Sequence, residues 1–331
     1  MSTERDNLRR RGGYEVWYLT WNHPGTGQGF WLRHVIESGH AELWFARFDP
    51  RDATRTFGVH RRFAGEPAGG DTAPFRIAIG DATLAHDAAR GALVADGHDL
   101  RWDLRWTPAA HALRLLPDVI YAGGGLGDTT VQSPSPRAPL SGELVIDGER
   151  LVFDGAPVGQ THLWGKKHAF AWTWAHCAEL VDAGGGGERA LLELLGVRLQ
   201  RGGLTLPTLA FAVLELPGES LRLNQLRHLA ANRARWELGR VQFDARGATV
   251  RVEGELTCRP DQLIEAPYVD PDGTHLWCAN TEIGDARITV WRRTLRGWRE
   301  DRTLVAAGTA HFEIGRRERD PRVARTHVLV E

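Results

Sequence analysis

Apolar and aromatic residues alternate with polar ones along most of this chain, in short runs broken by Gly, Pro, Asp and Asn. A period of two with aromatic and β-branched enrichment predicts an all-β protein. In the first half the pattern predicts strands over residues 15–21, 29–37, 41–48, 100–106, 143–146 and 151–153. In the second half it predicts 171–180, 190–200, 206–215, 241–243, 249–257, 275–282, 286–293 and 308–314. Helices are expected to be few and short. Residues 221–238 carry a partial helical stripe through Leu223, Leu226, Leu229 and Ala230, interrupted by Asn224 and Asn232.

The chain's 331 residues exceed the roughly 250 to 300 at which a single core stops growing, which points to two domains. Residues 122–139 are rich in Gly, Pro, Ser and Thr and read as a crossing loop. A hairpin turned by Asp147-Gly148 follows, so the boundary is expected near residue 155, giving domains 1–155 and 156–331. The halves resemble each other coarsely. Trp17, Trp21 and Trp31 precede a strand at Ala41-Glu42-Leu43-Trp44; Trp164, Trp172 and Trp174 precede one at Leu192-Glu193-Leu194.

Alternation also sorts the candidate site residues onto faces. In residues 171–180 it puts Trp172, Trp174 and His176 on one side and Thr173, Ala175 and Cys177 on the other. Such a face lines either a ligand pocket or a core in which His176 bonds a neighbouring strand. Phe30, Leu32, His34 and Ile36 share a side opposite Trp31, Arg33 and Val35; an isolated histidine among apolar neighbours is ordinarily a satisfied core residue. Arg33 needs a partner if its own side is buried too. Asn280 and Glu282 form a polar pair opposite Trp277, and Glu282 would serve as a general acid if buried.

Composition narrows the function classes. Hydrophobic residues make up 42%, charged residues 25%, and the formal net charge is −1, so the overall field favours neither nucleic acid nor an anionic membrane. No run approaches the roughly 18 to 20 apolar residues of a membrane helix. The charged N-terminus lacks a secretory pattern, and Cys177, Cys258 and Cys278 form no C-x-x-C pair, which fits a cytoplasmic setting. No G-x-S-x-G, H-E-x-x-H, P-loop or dinucleotide fingerprint is present, and His162, His168 and His176 lack a metal spacing. Neither a metal nor an organic cofactor is expected.

One segment departs from its background. Residues 160–177 hold three of the 13 tryptophans, three of the 14 histidines and, at Lys166 and Lys167, the only lysines among 41 basic residues. Its Trp164-Gly165 followed by Trp172-Thr173-Trp174, with the run Trp277 to Glu282 and the closing His311-Phe312-Glu313-Ile314-Gly315-Arg316, resembles the two-domain lipocalin-like superfamily. That group includes carotenoid 1,2-hydratase, tocopherol cyclase, AttH-type proteins and decalin-forming fungal Diels-Alderases. The resemblance covers nearly the whole chain and implies two tandem lipocalin-like, calycin-like barrels holding a hydrophobic small molecule between or within them. Carotenoid hydratases carry Tyr-His-Asp-x-Asn before the Trp-Gly; here those positions are Gly159, Gln160, Thr161, His162 and Leu163. The acid of hydratase chemistry is missing.

The expectation is therefore a cofactor-independent enzyme that cyclises, isomerises or hydrates an isoprenoid- or polyketide-like molecule. His176, His162 and Glu282 are the candidate proton-moving residues. Trp21, Trp31, His34, Trp164, Trp172, Trp174, Trp277 and Asn280 are the candidate ligand contacts. A non-catalytic carrier of hydrophobic ligands needs the same pocket without the proton. Oligomeric state is not legible in the sequence.

Overall fold

A computed structural model describes residues 13–37, 39–65, 70–72, 75–122 and 128–324. The charged N-terminal stretch lies outside the described residues. Two large antiparallel sheets, of twelve and ten strands among the described residues, account for nearly all of the structure. The first begins with the meander Tyr14–Asn22, Gly29–Glu37, His40–Phe48 and Phe57–Ala64, and ends with the long hairpin Thr129–Ile146 and Glu149–Gly165. That last strand returns to pair with the first, Tyr14 opposite Gly165 and Trp21 opposite Val158. The second sheet repeats the plan. Ala171–Asp182 opens it, the hairpin His275–Thr294 and Gly297–Arg316 ends it, and first pairs with last. The coarse duplication in the sequence thus corresponds to a duplicated topology.

Each sheet curls round its own apolar core. Trp17, Leu19, Trp21, Phe30 and Phe153 belong to the first, and Ala175, Cys177, Leu192, Phe243 and Phe312 to the second. A third apolar layer joins the two, with Tyr14, Val16, Trp31 and Trp44 from one sheet against Trp172, Ile264 and Tyr268 from the other. The Tyr14–Asn22 strand supplies both sides of this arrangement. Its odd-numbered residues from Trp17 to Trp21 fill the first core, and its even-numbered ones face the second domain.

Three expectations change. The boundary expected at residue 155 falls inside the strand Glu149–Gly165, and the chain leaves the first sheet only after Gly165. Gly155, at φ 71, is the extra residue of a bulge: Leu140 pairs with Ala156 and Ser141 with Asp154, so a turn-like dipeptide bends a strand instead of ending it. The loop expected over 122–139 is largely the strand Thr129–Ile146; Pro134 and Pro136 fall in its register shifts, where no ladder bond is needed. Residues 123–127 of that loop lie outside the described residues. The helical stripe over 221–238 is instead the strand Glu219–Leu223, a 3₁₀ turn Leu226–His228 and the strand Arg233–Glu237. Asn232 donates to the carbonyls of Ala210 (2.9 Å) and Leu223 (2.7 Å), and Asn224 to that of Arg114 (2.9 Å). Side-chain bonding to main chain of this kind favours a crossing over a helix.

Two glycines let the sheets approach. Gly29, opposite Asn22, and Gly159, opposite Thr20, flank the Tyr14–Asn22 strand on its two sides. A Cβ at Gly29 would lie 2.5 Å from Glu282 Cβ and 2.7 Å from its carbonyl oxygen; one at Gly159 would lie 2.6 Å from His176 Nε2. Gly29→Ala and Gly159→Ala are therefore expected to destabilise by about 1 to 3 kcal/mol in equilibrium denaturation, as overpacking does. A gain in stability, the ordinary result of Gly→Ala where the backbone allows it, would show that the sheets do not meet at these points.

Candidate active site

The even-numbered face of Tyr14–Asn22 looks into a cleft between the two sheets, and the cleft has two chambers. One is apolar, about 180 Å³, and walled by Val16, Tyr18, Leu163, Trp172, Trp174 and Phe211. The other is polar, about 720 Å³, with Glu37, Glu42, Arg62, Asp270 and Asp272 on its walls. Arg33, His168 and Tyr268 border both.

Both tryptophans of the Trp172-Thr173-Trp174 motif point into the apolar chamber, as alternation in their strand requires. Each indole is pinned by a carboxylate. Trp172 Nε1 donates to Glu313 Oε1 at 2.7 Å, and Trp174 Nε1 to Glu193 Oε2 at 3.2 Å. Glu193 also accepts from Ser133 Oγ at 2.8 Å and lies 2.9 Å from His176 Nδ1. His176 stacks behind Trp174, ring centres 6.0 Å apart and 7° from parallel, and does not line the cleft.

Among the proton-bearing groups that line the cleft, Tyr18 is the one bonded to Glu282. Its hydroxyl donates to Glu282 Oε1 at 2.6 Å across the domain junction. Glu282 is buried, accepts a second bond from the Thr20 hydroxyl, and lies 3.1 Å from His311 Nδ1. Burial pushes the Glu282 carboxyl well above the usual range, against the pull of the Thr20 and Tyr18 hydroxyls, which favours its neutral form. Burial also pushes His311 well below its usual value, with the nearby His176 adding to the effect. His311 Nε2 donates to Asn22 Oδ1 at 2.6 Å, which leaves Nδ1 as an acceptor facing Thr20 and Glu282. Burial and the Glu282 carboxyl keep Tyr18 above the usual phenol range. The result is a chain of neutral groups leading from the cleft wall inward.

The other expected site residues lie elsewhere. His162 and Trp164 face the first core, while Thr161 and Leu163 of the same strand face the cleft; His162 Nε2 is 2.8 Å from Glu15 Oε1, and its ring lies between Trp17 and Trp164. Trp21 packs in the first core against Phe30 and Phe153. Trp31 is buried beside Tyr18, one layer behind the cleft. Trp277 is half-buried away from it, and Asn280 is spent on the Cys278 carbonyl at 2.9 Å. Lys166 and Lys167 stand exposed at the mouth, where Lys167 Nζ bonds Asp272 at 3.2 Å and the adjoining His168 Nδ1 is 2.6 Å from Asp270. Tyr18, Arg33, Tyr268 and Glu313 were not among the expected contacts. Tyrosine carried an unused signal: of the four in the sequence, Tyr14, Tyr18 and Tyr268 line the cleft.

No group of three or more metal-ligating side chains occurs among the described residues, and no described helix is long and apolar enough to cross a membrane. No family model matches the chain. The probable chloroplastic tocopherol cyclase of Oryza sativa subsp. japonica is 25% identical over 177 residues, which are 53% of this chain and 37% of that protein; the match thus spans just over a third of the relative. Kievitone hydratase from Nectria haematococca superposes with a TM-score of 0.57 at 12% identity, covering 90% of this chain and 88% of the other. An AttH-like protein from Nitrosomonas europaea gives 0.54 at 16% identity, over 92% and 93%. The chain has a lipocalin-like fold built on two large antiparallel sheets.

His34 generates a prediction of its own. It lies wholly buried in the first core, and neither ring nitrogen has a hydrogen-bond partner among the described residues. Burial lowers its pKa to about 3. The unfolded chain takes up a proton near pH 6.5 and the folded one does not, so His34 subtracts stability as pH falls from about 6.5 towards 3, by up to about 1.4 kcal/mol per unit. Denaturation midpoints of His34→Leu should fall less steeply than wild type between pH 6.5 and 4; parallel curves would mean that His34 is bonded in the folded state.

Proposed function

We propose that the protein is an enzyme that cyclises or isomerises a largely apolar small molecule in the cleft between its two domains. The observation that carries this reading is the Tyr18 hydroxyl on the cleft wall, bonded to a buried, neutral Glu282. Tyr18 turns its proton to a carbonyl oxygen of the substrate on which negative charge develops, and takes one from Glu282. After rearrangement, a proton lost from the product returns along the same path, so the cycle consumes none. Between those steps positive charge develops over Trp172 and Trp174, whose faces stabilise a cation by about 0.5 to 2 kcal/mol each. Holding a flexible substrate near its reactive conformer contributes more, up to about 7 to 11 kcal/mol at ideal orientation. His176 acts as a positioning residue, holding Glu193 and through it Trp174. The similar proteins bear the names of a hydratase and a cyclase, which supports chemistry of this general kind.

A carrier would use the same apolar chamber, and the two readings part on one comparison. Wild type and Glu282→Gln are purified identically, and their organic extracts are compared by native mass spectrometry and chromatography. An enzyme should yield product from wild type and unconverted precursor from the variant. Turnover of that precursor is expected to fall by about 100-fold or more in Glu282→Gln and Tyr18→Phe, the usual loss of a general acid. The same compound in both extracts, with no conversion by wild type, would establish the carrier.

A further inference from the structure

The two chambers meet at Arg33, and a ligand filling both must change character there. This rests on the cleft being the ligand site. The apolar chamber, about 180 Å³, is below the roughly 300 to 1,000 Å³ of ordinary small-molecule sites, so a ligand whose apolar body fills it brings its other end to Arg33 and the polar chamber. Arg33 is only 8% exposed and borders both chambers. Its guanidinium carbon sits 4.2 Å from the centre of the Tyr268 ring, and among the described residues it makes neither an ion pair nor a side-chain hydrogen bond. A guanidinium withdrawn from water is costly without an anion in contact, and here the Glu313 charge acts on it only at a distance. We propose that Arg33 receives the carboxylate of an amphipathic substrate whose apolar body lies against Trp172 and Trp174.

The surroundings select for a single negative charge. Two other cations of the polar chamber are engaged, Arg62 Nε donating to Glu42 at 2.7 Å and Lys167 to Asp272 at 3.2 Å, while Lys166 is exposed to solvent at its mouth. Glu37, Glu42, Asp270 and Asp272 add negative potential, and burial together with the Glu42 charge pushes the Glu37 carboxyl up to about 7. A diphosphate would bring several charges into this field, where Arg33 is the unpaired cation between the chambers and Lys166 stands exposed at the mouth. A carboxylate matches the planar fork of one arginine.

The test uses 11-(dansylamino)undecanoic acid and its methyl ester, read by energy transfer from the cleft tryptophans. Wild type should bind the acid at least about tenfold more tightly than the ester. Arg33→Met should bring the acid to the level of the ester while leaving ester affinity unchanged, and Arg33→Lys should keep part of the preference. In displacement of the probe, geranylgeranoic acid should outcompete geranylgeranyl diphosphate. Equal binding of acid and ester by wild type, or a stronger diphosphate, overturns the proposal and leaves the apolar cleft standing. Failure of wild type to bind either probe overturns both. The wild-type comparison needs no variant to fold, and unchanged ester binding by Arg33→Met separates a lost anchor from a lost structure.

Discussion

The strand Tyr14–Asn22 is buried on both faces, and the rest of the molecule is arranged around that constraint. One face completes the first core through Trp17, Leu19 and Trp21. The other is amphipathic, and its Tyr18, Thr20 and Asn22 bond only to groups brought by the second domain: Glu282 and His311. A strand with polar groups on a buried face is stable only when those groups are answered. The second domain therefore satisfies the first, and the cleft is what remains where the two faces diverge.

The polar layer has a cost that its position makes intelligible. The buried Glu193 and Glu282 and the half-buried Glu313 take their bonds from tryptophan, tyrosine and serine donors, with no arginine or lysine bonded to any of the three. Neutral donors stabilise a buried carboxyl less than a full counter-charge does. The Glu282 carboxyl is accordingly pushed well above the usual range, chiefly by burial. The layer also orients Trp172 and Trp174, since each indole's hydrogen bond to a carboxylate favours the rotamer that faces the cleft.

Much of this was legible in the sequence where one residue does one job. The alternation Trp172, Trp174, His176 against Thr173, Ala175, Cys177 gives the right faces because that strand is regular where it was read. Irregularity defeated the pattern. Gly155 reads as a turn but is a bulge, and Pro134 and Pro136 read as loop but sit in register shifts of a long strand. The strands of Phe57–Ala64 and Ala88–Ala95 escaped notice because they are half-exposed and built from Ala, Arg and Gly, so their alternation is faint. At the site, Trp164 and His162 had the richer local composition, yet a shift of one residue puts Thr161 and Leu163 in the cleft and both of them in the core. Which of two buried faces is the functional one is decided by the partner sheet, which no local pattern records. Arg33 was different: a partner is expected wherever its side is buried, and its own protein supplies an aromatic ring in contact and carboxylate charge only at longer range, from Glu313 and Glu37.

Each sheet pairs its first strand with its last, as Tyr14 with Gly165 and Trp172 with Gly315. During synthesis Tyr14–Asn22 emerges early and waits for its closing neighbour until most of the domain has followed. Pairings of such long sequence separation form slowly because loop closure precedes any gain in contacts. In the interval one edge of Tyr14–Asn22 is unpaired and both of its faces, including the amphipathic one, are uncovered. An arrested or truncated chain that stops short of Gly165 presents that strand to its neighbours, so association between nascent chains is the failure to which this topology is exposed.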